Sequence, residues 1–389
     1  MTMRKRYQSF SEQEHRGRLE RARDLLKREG IDICISMAPE SLFYYGGYDS
    51  WVSVNSPQAL IFAAEGGEPT IVLRDTDLAL AYESSWVEDI RSYRLMFDDV
   101  PGFIAAVARE KGLKGGKVAI EMQSYALPHS LGLAIARAIE PARMVDATAL
   151  LGMPRLIKSE TELRYLRQAA AYAQAGLDAA RRTLRVGVTE IELAAAVENA
   201  MRSAGSDYWS IPTELASGFR SAAGHGTARD RVIESGDLVH LEFAGVSHRY
   251  HATAIHTLAA GEPSRRSREV YELGRASLAS GIAAIRPGVQ VAEVEEASLE
   301  PLRKAGLEHA APMRFGYGIG VAYPPIWLEP LQISRGVEQV LEPGMVFVLH
   351  AYIQLVDEEL GIIQGGTYAM TDNGLEMLVG GGDVPLEVV

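Results

Sequence analysis

Leu341-Glu342-Pro343-Gly344-Met345-Val346-Phe347-Val348-Leu349-His350 carries a strand-like apolar run, Met345 to Leu349, that ends on a histidine. Histidine is the residue to follow from there. Of the nine in the chain, five lie between His225 and His256. Imidazole is the one side chain whose unperturbed pKa lets it exchange a proton near neutral pH, so a cluster points to acid/base work or metal binding. His15, His240 and His248 are expected to be exposed or structural.

The segment Leu238-Val239-His240-Leu241-Glu242-Phe243 alternates, passes through Ala244-Gly245-Val246-Ser247 and continues as Arg249-Tyr250-His251-Ala252-Thr253-Ala254-Ile255-His256-Thr257, which predicts a hairpin. Alternation puts Glu242 on the face of His240 and opposite Leu241 and Phe243, while Tyr250, Ala252, Ala254 and His256 share a face. A lone Glu in a strand is normally solvated, but this one is followed by small residues in a histidine-rich hairpin. Further on, Met313-Arg314-Phe315-Gly316-Tyr317-Gly318-Ile319-Gly320 and Tyr323-Pro324-Pro325-Ile326-Trp327-Leu328-Glu329 combine glycines that admit close backbone approach with aromatic surface on a stiff loop. This glycine spacing is not that of a dinucleotide loop and lacks the Lys-Ser/Thr of a P-loop, so a substrate-facing loop is expected.

The second part of the chain is similar to itself. Arg185, Gly187, Val188, Glu192, Ala196, Arg202, Ala204 and Gly205 recur at the same spacing as Arg286, Gly288, Val289, Glu293, Ala297, Arg303, Ala305 and Gly306, each set a turn and a helix ending at Gly. A duplicated half packed against its twin would leave a cleft between the halves. Upstream, Gly152-Met153-Pro154 breaks the chain, and Ser159-Glu160-Thr161-Glu162 has the form of a capping box before a long helix. This gives domains 1–152 and 153–389. In the first, Glu12 to Glu29 predicts a helix, and Asp32 to Met37, Ala59 to Phe62 and Thr70 to Leu73 predict strands of an α/β domain. Tyr44 to Trp51 reads as an aromatic-rich loop.

Composition narrows the function. The 389 residues are 47% hydrophobic, with a formal net charge of -12 and no run of Lys and Arg, which disfavours nucleic acid. The apolar runs are too short to span a membrane, and no apolar stretch follows Lys5 and Arg6 as in a secretion signal, so a cytoplasmic protein is expected. The single cysteine, Cys34, lies in an apolar alternation and is expected to be buried. A small-molecule substrate fits best.

The hinge Ile157-Lys158-Ser159-Glu160, the duplicated half-domain, the Gly-Asp-Leu-Val strand at Gly236, the Gly316 to Gly320 segment and Leu341 to Phe347 together resemble the creatinase, aminopeptidase P and prolidase superfamily over essentially the whole chain. The resemblance implies an α+β architecture: an N-terminal mixed α/β domain and a pita-bread catalytic domain. Metal-dependent members hold two divalent ions with two Asp, one His and two Glu, positions that fall here at Glu242, Thr253, Tyr317, His350 and Gly365. One carboxylate in five implies a branch with no metal and no other cofactor. Creatinase is similar in this respect, and its catalytic histidine matches His225, but the glutamates that contact its substrate fall at Ile255 and His350. A closer likeness is to ectoine hydrolases, whose motifs match Glu242, Arg249, Tyr250, His251, Ile319, Gly320, Tyr323, Pro324, Pro325, Trp327 and Glu329. It implies cleavage of a C–N bond in a small amidine, guanidino or cyclic amide compound, cationic or zwitterionic. Glu242 would attack directly or activate water, His225 would shuttle protons, and Tyr317 and His350 would be hydrogen-bonding partners. Tyr250, His251, His256, Trp327 and Glu329 are expected to touch substrate, and Arg220 or Arg314 its carboxylate. The resemblance also implies a homodimer in which Tyr48 or Trp51 reaches substrate across the interface. An Xaa-Pro metallopeptidase and a non-catalytic binding module are the alternatives.

Overall fold

The computed structural model describes residues 5–382 and 384–389. It divides into two units, Met1–Pro154 and Arg155–Val389, two residues beyond the boundary expected at 152.

The first unit carries α1 (Glu12–Arg28), β1 (Ile33–Ser36), α2 (Pro39–Gly46), β2 (Ala59–Ala63), β3 (Gly66–Arg74), α3 (Leu78–Ser84), β4 (Asp89–Tyr93), α4 (Val100–Glu110), β5 (Lys117–Ile120), α5 (His129–Ala138), β6 (Arg143–Asp146) and α6 (Thr148–Gly152). Its strands form one mixed sheet in the order β4-β3-β2-β1-β5-β6. Apolar residues on both faces explain why the central strands β1 and β2 read as nearly continuous hydrophobic runs, while the edge strands β4 and β6 are more polar. Cys34, Leu60, Phe62 and Ile71 pack with Leu19, Ala22 and Leu26 of α1. Ile33, Ile35, Ile61 and Val72 pack with Ile104 and Ala108 of α4 on the other face. The stretch expected to be an aromatic loop is in part the end of α2. Tyr44 and Tyr45 are core residues, Gly47 takes the left-handed C-cap at φ 70, and only Trp51 is strongly exposed.

The second unit carries α7 (Glu160–Thr183), α8 (Glu190–Ala204), β7 (Glu214–Ser217), β8 (Asp237–Ser247), β9 (Tyr250–Ala260), α9 (Arg265–Ala284), α10 (Val291–Lys304), β10 (Gly316–Tyr323), β11 (Ile326–Ile333), β12 (Val346–Leu355), β13 (Leu360–Thr371), β14 (Gly374–Gly380) and β15 (Glu387–Val388). The nine strands make one sheet in the order β11-β10-β12-β13-β9-β8-β7, with β14 beside β13 and β15 beside β9. The capping box opens α7: Ser159 Oγ accepts from Glu162 N, and the Glu162 carboxylate accepts from Ser159 N.

The duplication is visible in backbone bonds. Gly187 N donates to Ile233 O at 2.9 Å and Gly288 N to Leu341 O at 2.7 Å, while Thr189 bridges Val232 as Gln290 bridges Val340. Each half thus ties its turn and helix to its own strand segment. In the first half, Ala169, Ala173 and Leu177 of α7 pack with Val197 and Met201 of α8 on Leu241, Phe243, Ala252 and Ala254. In the second, Leu278 of α9 and Val291 and Val294 of α10 pack on Phe347 and Leu349. The helices cover one face of the sheet, so the side chains alternating with these residues point away from them.

The hinge and the Leu341 to Phe347 motif meet physically. Ile157 bridges Met345, Lys158 N donates to Gly344 O at 2.9 Å, and Gly344, at φ 90, would bring a Cβ to 3.0 Å from Ile157 Cγ2. Two distant motifs diagnose one fold because they are one contact.

Candidate active site

Strand register assembles the site. Thr227 pairs with Glu214, Glu214 with Glu242, Glu242 with Ile255, Ile255 with Gly365, and Gly365 with His350. Directly opposed residues share a face, so this row crosses the sheet on the side away from the helices. Tyr317 of β10 sits opposite Val348, two residues from His350 on the same face. Its hydroxyl donates to Glu242 Oε1 at 2.8 Å and accepts from Trp327 Nε1 at 3.1 Å. The Tyr317 and His350 rings lie 5.9 Å apart, and the Arg314 guanidinium carbon is 5.3 Å from the Tyr317 centroid. The Nε of Arg314 and the Nδ1 of His350 are buried with no hydrogen-bond partner among the described residues.

The electrostatics follow from burial. Glu242 is 8% exposed and Glu214 6%. Burial raises the pKa of Glu242, opposed by the Tyr317 hydrogen bond and the charge of Arg314. Burial also raises Glu214, and the neighbouring Glu242 raises it further. His350 is lowered to about 3, first by burial and then by Arg314 and His225, so it is a neutral imidazole at physiological pH. His225 is exposed, on the loop whose Gly226 O accepts from Leu215 N at 2.8 Å beside Glu214.

Several expected contacts fall elsewhere. Tyr250 and His256 pair with Ser247 and Leu241, which puts them on the helix-covered face, opposite Glu242. There the Tyr250 hydroxyl donates to Glu162 Oε1 at 2.6 Å, and His256 Nε2 lies 3.0 Å from Glu387 Oε1. His251 shares the face of Glu242 and its ring is 6.4 Å from that of Trp327, but both nitrogens are engaged. Nε2 accepts from Ser210 N at 3.2 Å, and Nδ1 donates to Arg249 O at 2.9 Å. Glu329 is an ion-pair partner of Lys158, with both side chains buried. Arg220 pairs with Glu190 and donates to Thr227 O, leaving Arg314 as the cation beside Glu242. Tyr48 is fully buried in the first unit, where its hydroxyl accepts from Gln58 Nε2 at 2.9 Å. His15 and His240 are buried, each with Nδ1 3.0 Å from a backbone carbonyl oxygen, and His248 is exposed and stacked on Tyr165.

Glu214 is the site residue that sequence reading missed. Its four-residue strand, Glu214-Leu215-Ala216-Ser217, is too short to show a period, and only its pairing with β8 brings it to Glu242.

The residues present do not fit a pair of divalent ions. Of the positions matching metal ligands, Glu242 alone is a carboxylate, and the others are Thr253, Tyr317, His350 and Gly365. A Cβ at Gly365 would lie 1.9 Å from Leu349 O, so the tight β12–β13 pairing leaves no room for a ligating side chain there. Among the described residues no three of His, Cys, Asp and Glu are grouped to hold a metal ion.

An ectoine hydrolase from Halomonas elongata is 27% identical over 387 residues, covering 95% of this chain and 96% of its own. An Xaa-Pro dipeptidase from Pyrococcus furiosus is 30% identical over 225 residues, covering 58% of this chain and 63% of its own. The solved structure of an Xaa-Pro dipeptidase from Bacillus anthracis superposes with a TM-score of 0.84 at 24% identity, over 96% of this chain and all of the other, a likeness of fold. Residues 18–157 match the creatinase/prolidase N-terminal domain, residues 164–373 match metallopeptidase family M24, and the chain belongs to that family, whose members named here are hydrolases.

Proposed function

We propose that the protein hydrolyses a carbon–nitrogen bond of a small amidine, guanidino or cyclic amide compound at Glu242, without a bound metal. The observation that carries this reading is the buried Glu242 carboxyl held by Tyr317, itself held by Trp327, where metal-dependent relatives place an ion ligand. We assign Glu242 the removal of a proton from water, since a buried carboxylate of raised pKa is a stronger base than a solvated one. His225, exposed on the loop beside Glu214, shuttles protons to solvent. His350 stays neutral and offers a hydrogen bond rather than a charge. Arg314 suits a substrate carboxylate, and Glu242 suits a cationic amidinium. The ectoine hydrolase relative supports the substrate class by matching along nearly the whole chain. We further propose a homodimer working on this substrate in the cytoplasm.

The test is turnover of ectoine, creatine, other cyclic amidines and Xaa-Pro dipeptides, each with a strong chelator and with added manganese. Cleavage of a non-peptide compound that survives the chelator is the expected result. Cleavage of Xaa-Pro dipeptides restored only by manganese would establish the metallopeptidase reading instead, for which the Pyrococcus relative speaks.

A further inference from the structure

Glu214 and Glu242 stand directly opposite each other on β7 and β8, with both side chains on one face and both nearly removed from water. Directly opposed residues of an antiparallel pair bring their Cβ atoms to about 4.5–5.5 Å, and like charges there are destabilising. No ion pair or hydrogen bond to the Glu214 carboxyl is found among the described residues. Two buried carboxyls so placed cannot both ionise readily, which is the condition under which a pair holds one proton.

The surroundings decide which partner keeps it. Tyr317 donates a hydrogen bond to Glu242, and Arg314 lies on the same side, so both favour Glu242 as the anion. The other titratable side chains on this face are Tyr352 and His350 of β12, His240 of β8, His251 of β9 and His225 of the adjoining loop. None of them supplies a cation bonded to Glu214. Thr227, its neighbour on the other side, is uncharged.

We propose that Glu214 is the proton donor to the leaving nitrogen and that it and Glu242 hold a single proton between them in the resting enzyme. This rests on the hydrolase reading above. As water attacks the carbon, its proton passes to the Glu242 carboxylate and the C–O bond forms. The C–N bond then breaks with its electron pair on nitrogen, which takes the proton of Glu214. Transfer of the proton from Glu242 to Glu214 restores the starting state. A pair carrying one negative charge also complements one positive charge, which favours a singly charged amidinium over a neutral amide.

The experiment has a substrate-free arm and a kinetic arm. Infrared spectroscopy of the full-length protein labelled with carboxyl-13C glutamate, titrated across neutral pH, should show a protonated buried carboxyl that Glu214→Gln removes. On the substrate identified, Glu214→Gln should lower kcat about 10²–10⁴-fold with KM within a few-fold, and Glu214→Asp should recover part of the loss. The loss should shrink for analogues whose leaving group needs no protonation. A wild-type spectrum without a protonated carboxyl at neutral pH, or a Glu214→Gln variant with full kcat, overturns the proposal. If no C–N compound is turned over, the hydrolase reading fails instead, and the two failures are told apart because the infrared signal needs no substrate.

Discussion

Lys158 and Glu329 form an ion pair in which neither side chain touches water, and the ammonium also donates to Arg155 O. Breaking a buried pair by removing one partner leaves an uncompensated charge and costs about 3–5 kcal/mol. Lys158→Met should lose about that much in denaturant unfolding, whereas Lys158→Met with Glu329→Leu should recover most of it. If the double variant also turns over substrate, Glu329 buttresses the site. A double variant that is stable yet fails to bind substrate would return Glu329 to the list of substrate contacts.

Glu242→Gln should abolish turnover and leave substrate binding measurable by calorimetry, because the amide keeps shape but cannot accept a proton. His225→Ala should lose about 10²–10⁴-fold. Their effects should not add, since residues of one catalytic unit fail together. Near-normal turnover by Glu242→Gln would make this carboxylate a structural strand residue.

Stability should depend on pH through the carboxyl pair. Glu214 and Glu242 both have folded pKa values above the ordinary carboxyl value of about 4.3. The protonated forms are therefore favoured by folding, and this contribution is complete in acid below that value. It is lost as pH rises through the folded pKa values, from the ordinary carboxyl range into the neutral and alkaline range. Glu214→Gln should match wild type in urea unfolding near pH 4 and exceed it increasingly toward pH 9. A variant less stable than wild type at pH 9 would show that the pair is not strained.

Arg314 should govern recognition of a carboxylate. Arg314→Met should raise KM for carboxylated substrates by one to two orders of magnitude, in line with about 1.5–3 kcal/mol for a hydrogen bond to a charged group. Analogues with the carboxylate replaced by a neutral amide should show a much smaller change. An equal change for both kinds of substrate would assign Arg314 to tuning Glu242 alone.

Helix and strand positions were largely legible, because α1 and α7 are amphipathic and capped and the strands carry their alternation on their surface. The face of β9 that belongs to the site was not. Alternation groups Tyr250 with His256 correctly, but only the register tells which group lies beside Glu242. The hairpin turns on two residues, His248 and Arg249, at φ 49 and 66, which lack the Asn-Gly or Asp-Gly signature of such a turn, so the pairing of Glu242 with Ile255 is seen only in the structure. The role of Glu329 was hidden because a motif match does not say which charge a side chain meets, and Lys158 lies 171 positions away.

The repeated half-domains contribute unequal chemistry to the one site. Glu214, Glu242 and the loop of His225 come from the first, while Arg314, Tyr317, Trp327 and His350 come from the second. On the proposed mechanism, proton handling and substrate recognition would be carried by separate segments of one polypeptide. A chimera joining the first half of this chain to the second half of a relative would keep the acid pair while exchanging the pocket that selects what it acts on, provided the strand register between β9 and β13 is preserved.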